Sequence, residues 1–409
     1  MSGREADTDA KPPATRGWFR SAAGFGVASL LSDTGHEAAS SALPALLVTL
    51  GAPTFALGLI EGVADGLASF AKLIGGWTAE APRRRRPLAV AGYLLTGLST
   101  GTYALATSWV HLLFARLAGW VARGVRGPVR DAMLADAVAP EARGRAFGFH
   151  RAMDSTGAVL GPALAALILS TWGLHAVFWW SLLPGILSAV AFAALVSPSR
   201  LVRVSAPPAF WPSLGALPAS FRRFLVAAFA FGVGDFARTL LILRATRLLS
   251  PLLGPVRGPA VAMMLYLGHN AVYAVASYPV GWLADRVNPL RLMVSGYALG
   301  MVTGVLGAVA TPSLWLLAAL FGAGGLTLAF TDTLEGTITA FLVPSDQRAT
   351  AYGVLATANG VGDFLSSILV GALWSAIGPG VAFGTAALLC ALGISLQAFV
   401  WRGAVVRTR

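Results

Sequence analysis

The chain has 409 residues, 56% of them hydrophobic and only 12% charged, with a mean hydropathy of +0.70. Soluble domains carry about twice that charged fraction, so the composition excludes an ordinary soluble domain and points to a membrane protein with repeated apolar runs of roughly 20 residues. The net charge of +12 does not indicate nucleic-acid binding, because the arginines fall at span ends and in short loops, and the lone Cys390 excludes an intrachain disulfide or a cysteine metal cluster.

Residues 1–19 read as a polar cytoplasmic tail. The apolar stretch after it is too long for a signal peptide and lacks a small-residue cleavage site, so the first span is expected to be an uncleaved anchor. Six spans are predicted over 20–49, 55–79, 87–107, 110–138, 144–169 and 175–196. The Pro- and Ser-rich stretch 197–221 reads as a cytoplasmic linker. Six more spans follow at 222–248, 259–283, 290–310, 314–342, 349–376 and 380–401, with a short cytoplasmic tail at 403–409. The expected fold is an all-α membrane protein with twelve transmembrane helices in two pseudo-symmetric six-helix bundles, 20–196 and 222–402. The 47 glycines suit close helix contacts in lipid.

The loops set the orientation. "RRRR" (83–86), "EARGR" (141–145), "DRVNPLR" (285–291) and "DQR" (346–348) fall on the side of both termini, whereas the opposite loops hold little Lys or Arg apart from Arg257. Both termini are therefore expected in the cytoplasm, at a plasma (inner) membrane. The halves also repeat. At an offset of 205 residues, Gly76, Trp77, Ala79, Glu80 and Arg86 match Gly281, Trp282, Ala284, Asp285 and Arg291. Arg143, Gly148 and Gly157 match Arg348, Gly353 and Gly362 at the same offset. A repeat of six and six spans is the layout of a secondary transporter with a midplane site between its halves.

Charges at membrane depth are costly and mark cavities or partners. Asp33, His36 and Glu37 share one face of the first span at i, i+3 and i+4, near mid-depth. Three readings are open for them. A carboxylate carries the proton exchanged for substrate, the three side chains ligate a divalent metal, or Asp33 forms a structural ion pair with Arg123. The second span adds Glu61, Asp65 and Lys72, with Asp65 extending the site or pairing within it. Arg116, Arg123, Arg126 and Arg130 run along one face of the fourth span. Arg123 is the candidate for coupling, and Arg126, Arg130, Asp131 and Asp136 are expected in a cytoplasmic gate. His150 and Asp154 in the fifth span serve gate packing or a proton relay. Asp235 in the seventh span lies at a depth like that of Asp33 and is expected to face it across the cavity. No phosphate loop, HExxH or nucleophile elbow appears, so no enzyme activity, cofactor or ATP use is expected.

"GWLADRVNPLR" (281–291) resembles the loop motif of the major facilitator superfamily, and "GGWTAEAPRRRR" (75–86) is its first-half counterpart, with Glu80 where Asp is usual and Ala81 where Arg is usual. The resemblance covers about residues 20–402. It implies a cavity lined by the first, fourth, seventh and tenth helices. It also implies a gate locked by carboxylate–arginine contacts, here with Glu80, Arg84, Asp285, Arg286 and Arg291. "GAVLGPALAA" (157–166) resembles the fifth-helix motif of antiporters through Gly157, Gly161 and Pro162, with Ala165 and Ala166 replacing glycines, and implies efflux. "SDTGHE", 57–73 and "RGVRGPVRDAMLAD" (123–136) resemble an efflux subgroup associated with nickel-resistance exporters. The expectation is a monomeric proton-coupled exporter of a small solute or drug-like compound, with metal export, solute uptake and a non-transporting membrane sensor as alternatives.

Overall fold

The computed structural model describes residues 18–52, 55–78, 82–197 and 210–405. Among these the chain is helical, joined by short turns, with no strand. The first six long helices are α1 (Trp18–Thr49), α2 (Phe55–Thr78), α3 (Pro82–Thr102), α4 (Trp109–Ala137), α5 (Arg143–Trp172) and α6 (Leu174–Leu195). After the short α7 (Phe210–Gly215) come α8 (Ala219–Gly232), α9 (Arg238–Ala284), α10 (Pro289–Val309), α11 (Leu314–Leu342), α12 (Arg348–Ala376) and α13 (Pro379–Val405). Helix α9 turns back on itself at Gly254, whose φ of 86° is accessible to glycine without strain. Together α8 and the first part of α9 make one crossing interrupted at Val233–Ala237, and the rest of α9 makes the next, giving twelve crossings among the described residues.

Seven of these helices are long and apolar enough to cross a membrane by composition alone. Helix α4 has the length, with 29 residues, but its arginines and aspartates lower its hydropathy. Arg116, Arg123, Arg126 and Arg130 each find an acceptor inside the bundle, which is how charge survives at membrane depth. Large apolar side chains such as Val275, Phe364 and Leu388 point outward, where lipid would meet them.

The first six helices pack on one another, and so do α8–α13. Each group holds two apolar cores. In the first, Phe25, Met133 and Phe192 fill the end that carries the termini, and Leu43, Ile60 and Phe178 fill the far end. In the second, Phe221, Met293 and Tyr297 fill the terminal end, and Leu241, Phe321 and Phe383 the far end. The titratable side chains of the site lie between these apolar layers.

The two groups meet through α5 against α9 and α2 against α12. The backbones touch at Gly148–Gly281 in one contact and at Gly76–Gly353 in the other. These four glycines are two pairs at the offset of 205 found in the sequence, so the internal repeat marks one seam contact used twice. A Cβ on Gly281 would run into the carbonyl oxygen of Gly144, and one on Gly353 would stand 2.6 Å from that of Lys72. Only glycine permits this approach.

Candidate functional site

Helix α1 is drawn against α5 by the Gly157 and Gly161 pair. A Cβ at Gly157 would lie 2.6 Å from Leu30 O, and one at Gly161 2.7 Å from Thr34 O. The antiporter-like motif thus packs on the turn that carries Asp33, His36 and Glu37. Pro162 lies within α5, one residue beyond that contact.

On its other side α1 faces the arginine row of α4, and each arginine finds an acceptor. Arg116 donates to Ser40 Oγ at 2.7 Å, Arg123 to Asp33 Oδ1 at 2.6 Å, Arg126 to Ser32 Oγ at 2.8 Å and Arg130 to Ser29 Oγ at 3.4 Å. Arg126 also covers the Tyr93 ring at 3.9 Å, and Trp120 lies beneath both Arg116 and Arg123. Arg123–Asp33 is the ion pair of this ladder, and both side chains are largely shielded. Asp33 lies about 22 Å along α1, near the middle of the membrane.

His36 does not join Asp33. It packs edge-on against Trp120, with ring centroids 4.9 Å apart, and its Nε2 is 3.4 Å from Ser40 Oγ. Glu37 lies one residue further along, half-buried. No group of three or more His, Cys, Asp or Glu that could hold a metal occurs among the described residues. In place of a metal-ligand arrangement of Asp33, His36 and Glu37, Arg123 occupies the Asp33 carboxylate and the His36 imidazole faces an indole.

From Asp33 a chain of charged groups leads away from α1. Asp154 on α5 lies one turn before Gly157, the position that packs against the Asp33 turn of α1. Arg151, one turn before it, is 3.8 Å from Asp154 and 3.8 Å from Asp131. Asp131 and Arg151 line a cavity of about 240 Å³. Lys72, Asp235, Arg238, Asp332, Glu335 and Asp363 supply its remaining charges, so carboxylates outnumber cations five to three. Tyr273 donates to Asp332 at 2.6 Å, and Asn359 to Glu335 at 2.5 Å.

Asp235 was expected across from Asp33. It instead occupies the non-helical segment Val233–Ala237, where Arg238 reaches it at 3.1 Å. The reason is the break itself: the turn is held by Gly234 N to Phe231 O at 2.7 Å and Asp235 N to Phe231 O at 3.0 Å, and Asp235 lines the cavity. The ladder meanwhile closes α1 against α4, so Asp33, His36 and Glu37 do not line the cavity. The sequence reading missed the break. Its signal was "GVGDFAR" (232–238), two glycines and an aspartate inside an apolar run.

The seam at the terminal end is locked by charge. Asp136 bridges Arg85, at 2.7 Å, and Arg348 of the second group. Asp285 accepts from Gly144 N at 2.7 Å, Arg145 N at 3.1 Å and Arg145 Nε at 2.6 Å. Burial pushes the Asp285 carboxyl above its ordinary range, against the opposing pull of Arg145. Arg143 donates to Ala340 O at 2.8 Å and Arg85 to Ser345 O at 3.4 Å, both across the seam.

Several residues expected in this gate do other work. Arg130 and Asp131 pair with each other at 3.0 Å inside the first group. Arg286, in the turn after α9, lies over Trp282 at 3.5 Å, and Arg291 of α10 lies over Trp401 of α13 at 5.5 Å. Arg84 is exposed, and the buried side chain of that run is Arg85, 2% exposed. Glu80 and the side chain of Asp65 lie outside the described residues. Arg85, Arg145 and Arg348 were missed because adjacent arginines in a basic loop look alike until helix ends fix which of them points inward.

The profile of the Major Facilitator Superfamily matches residues 25–268 and 248–408. The chain is 26% identical over 383 residues to the MFS-type transporter MJ1317 of Methanocaldococcus jannaschii, covering 92% of this chain and 94% of that one. It is also 26% identical over 284 residues to the multidrug resistance protein MdtH of Photorhabdus laumondii, covering 67% and 66% of the two chains. Among solved structures, the Escherichia coli fucose:proton symporter FucP superposes with a TM-score of 0.75 at 14% identity, over 94% of this chain and 99% of that one. The family profile spans nearly the whole sequence and the all-helical fold agrees with it, so the chain belongs to the major facilitator superfamily of secondary transporters.

Proposed function

We propose that this transporter couples proton movement to the export of a small solute or drug-like compound by alternating access. One observation carries the reading. A carboxylate–guanidinium pair, Asp33–Arg123, lies near mid-membrane, and on the facing helix α5 the Asp154–Arg151 pair leads to Asp131 on the cavity wall. Charge held at that depth is costly, and where it occurs it marks a functional site by default. Protonation of Asp33 removes the anion that holds Arg123. The arginine, 21% exposed, is then left without its partner anion, a loss of about 1.5–3 kcal/mol for a charged hydrogen bond that water partly reaches. A shift of that size changes the ratio of two states by about tenfold or more.

Efflux is supported by the glycine motif of α5 and by the likeness to MdtH, whose name describes multidrug resistance. The arginine-rich loops support cytoplasmic termini in a plasma (inner) membrane. In that orientation the Asp136 and Asp285 contacts form the cytoplasmic gate, and the present state has that gate closed. The segments 20–196 and 222–402 are the two units that rock about the cavity, and one chain is the working unit.

The test is transport in proteoliposomes under an imposed pH gradient. The wild type is expected to move solute uphill in response to the gradient. Asp33→Asn is expected to lose uphill transport while keeping exchange at equal concentrations. An Asp33→Asn protein with undiminished uphill transport and an unchanged pH profile would overturn the coupling role.

A further inference from the structure

The cavity of about 240 Å³ holds more negative charge than its cations balance, and the surplus falls on particular residues. Arg238 is held by Asp235 at 3.1 Å. Lys72 acts electrostatically on Asp363. Arg130 and Arg151 serve three carboxylates between them. Asp131 meets both, at 3.0 and 3.8 Å, Asp154 meets Arg151 at 3.8 Å, and Asp332 feels Arg151 at longer range.

Asp332 and Glu335 are left over. They lie one turn apart on one face of α11, and both line the cavity. Their hydrogen bonds come from neutral groups, the Tyr273 hydroxyl at 2.6 Å and the Asn359 amide at 2.5 Å. A neutral donor satisfies a lone pair without cancelling the charge. Among the described residues neither carboxylate has an ion-pair partner within 4.0 Å.

The same cavity has an apolar side, made by Phe231 of α8, Leu328 of α11 and Leu355 of α12. The Phe231 ring is fixed by stacking on Tyr297, with centroids 4.0 Å apart. An apolar lining with a few polar groups that orient the ligand is how small-molecule sites are built. The volume is also many times the roughly 10–15 Å³ that one water-sized particle needs, so the two walls together fit an organic molecule rather than a bare ion. An anionic solute would add charge of the sign already in surplus. A neutral one would leave both carboxylates unbalanced away from bulk water, which is costly at membrane depth. An ammonium group supplies the missing charge together with three donors.

We propose that the solute is an organic cation, a primary amine protonated at neutral pH. Its ammonium group binds at Asp332 and Glu335, and its carbon body lies against Phe231, Leu328 and Leu355. The solute class rests on reading this cavity as the site of the transported compound, and on neither the proton coupling of Asp33 nor the direction of transport.

The test is isothermal titration of the full-length protein in lipid nanodiscs, at neutral pH and without a gradient, after subtraction of the heats from empty nanodiscs. The probes are phenethylamine, phenethyl alcohol and hydrocinnamate, which share a ring and a short spacer and differ in charge. The amine should bind saturably. The alcohol and the carboxylate should bind about tenfold more weakly or worse, the effect of losing a hydrogen bond between charged groups. Glu335→Gln and Asp332→Asn keep acceptors for Asn359 and Tyr273, and each should weaken the amine by about tenfold or more. No saturable binding of the amine to the wild type, alcohol or carboxylate binding as tight as the amine, or undiminished amine binding in both monodisperse variants would overturn the assignment. The wild-type series decides the matter even where a variant fails to fold. Because binding needs no gradient, a protein that failed the coupling test would still show it. Proton-driven transport of an acidic solute, in contrast, would refute the amine and leave the role of Asp33 standing.

Discussion

Replacing Asp136 by Asn removes one charge from a joint that ties three helices. In the wild type the carboxylate bridges Arg85, 2% exposed, and Arg348, with 20% of its own side chain exposed. The Arg85 link lies within the first group, so the cross-seam loss is chiefly the bond to Arg348. A hydrogen bond to a charged group contributes about 1.5–3 kcal/mol. The full penalty for a completely buried pair, about 3–5 kcal/mol, does not apply to a carboxylate that water partly reaches. The closed-to-open ratio at the terminal end should therefore fall about 10- to 150-fold. The Asp285 and Arg143 contacts remain, so the seam weakens without dissolving. The assay is double electron–electron resonance between spin labels at Glu141 and Asp346, exposed positions on opposite sides of the seam. The native Cys390 is buried and should not compete for label. A longer-distance population should appear in Asp136→Asn. An unchanged distance distribution in a monodisperse protein would refute the reasoning.

Gly281→Ala should open the same seam by steric means, because the new Cβ meets Gly144 O; a cost of about 1–3 kcal/mol is expected for overpacking, read with the same labels. Gly161→Leu should separate α5 from α1 and lower the unfolding temperature in detergent, since its Cβ begins 2.7 Å from Thr34 O. For Asp285 the sign follows from its raised pKa in the closed seam. The closed state holds this proton more readily than an open, solvated one, so mild acid favours closure. Asp285→Asn should accordingly stay closed at neutral pH, whereas Asp285→Leu, with no acceptor for Gly144 and Arg145, should open; the label distances at two pH values check both. Growth of a deletion strain against metals, drugs and organic acids is expected to show sensitivity to an organic compound, identifying the solute.

Much of the fold was legible because membrane helices declare themselves by length and hydropathy, and because the repeat at an offset of 205 falls on residues that backbone contact holds fixed. Gly76, Gly148, Gly281 and Gly353 are glycine because the seam leaves no room for a side chain. The Arg123 partner of Asp33 was equally readable, since a charge at mid-depth must find its opposite. Other features were hidden by the same logic run in reverse. A helix break costs no hydropathy, so the interruption at Val233–Ala237 vanished inside an apolar run, and with it the true neighbour of Asp235. Which arginine of 83–86 turns inward depends on where α3 begins, a matter of one residue that the run of identical side chains conceals. The α1 triad looked like one site because its members share a helix face. Neighbours on other helices, Arg123 for Asp33 and Trp120 for His36, divide it.

The most direct test of the coupling account is uphill transport of the identified solute in proteoliposomes, measured for the wild type and Asp33→Asn across a series of imposed pH gradients. The account requires wild-type accumulation that rises with the gradient, and an Asp33→Asn protein that exchanges solute but never concentrates it. Accumulation by Asp33→Asn that follows the wild-type dependence on the gradient would contradict it.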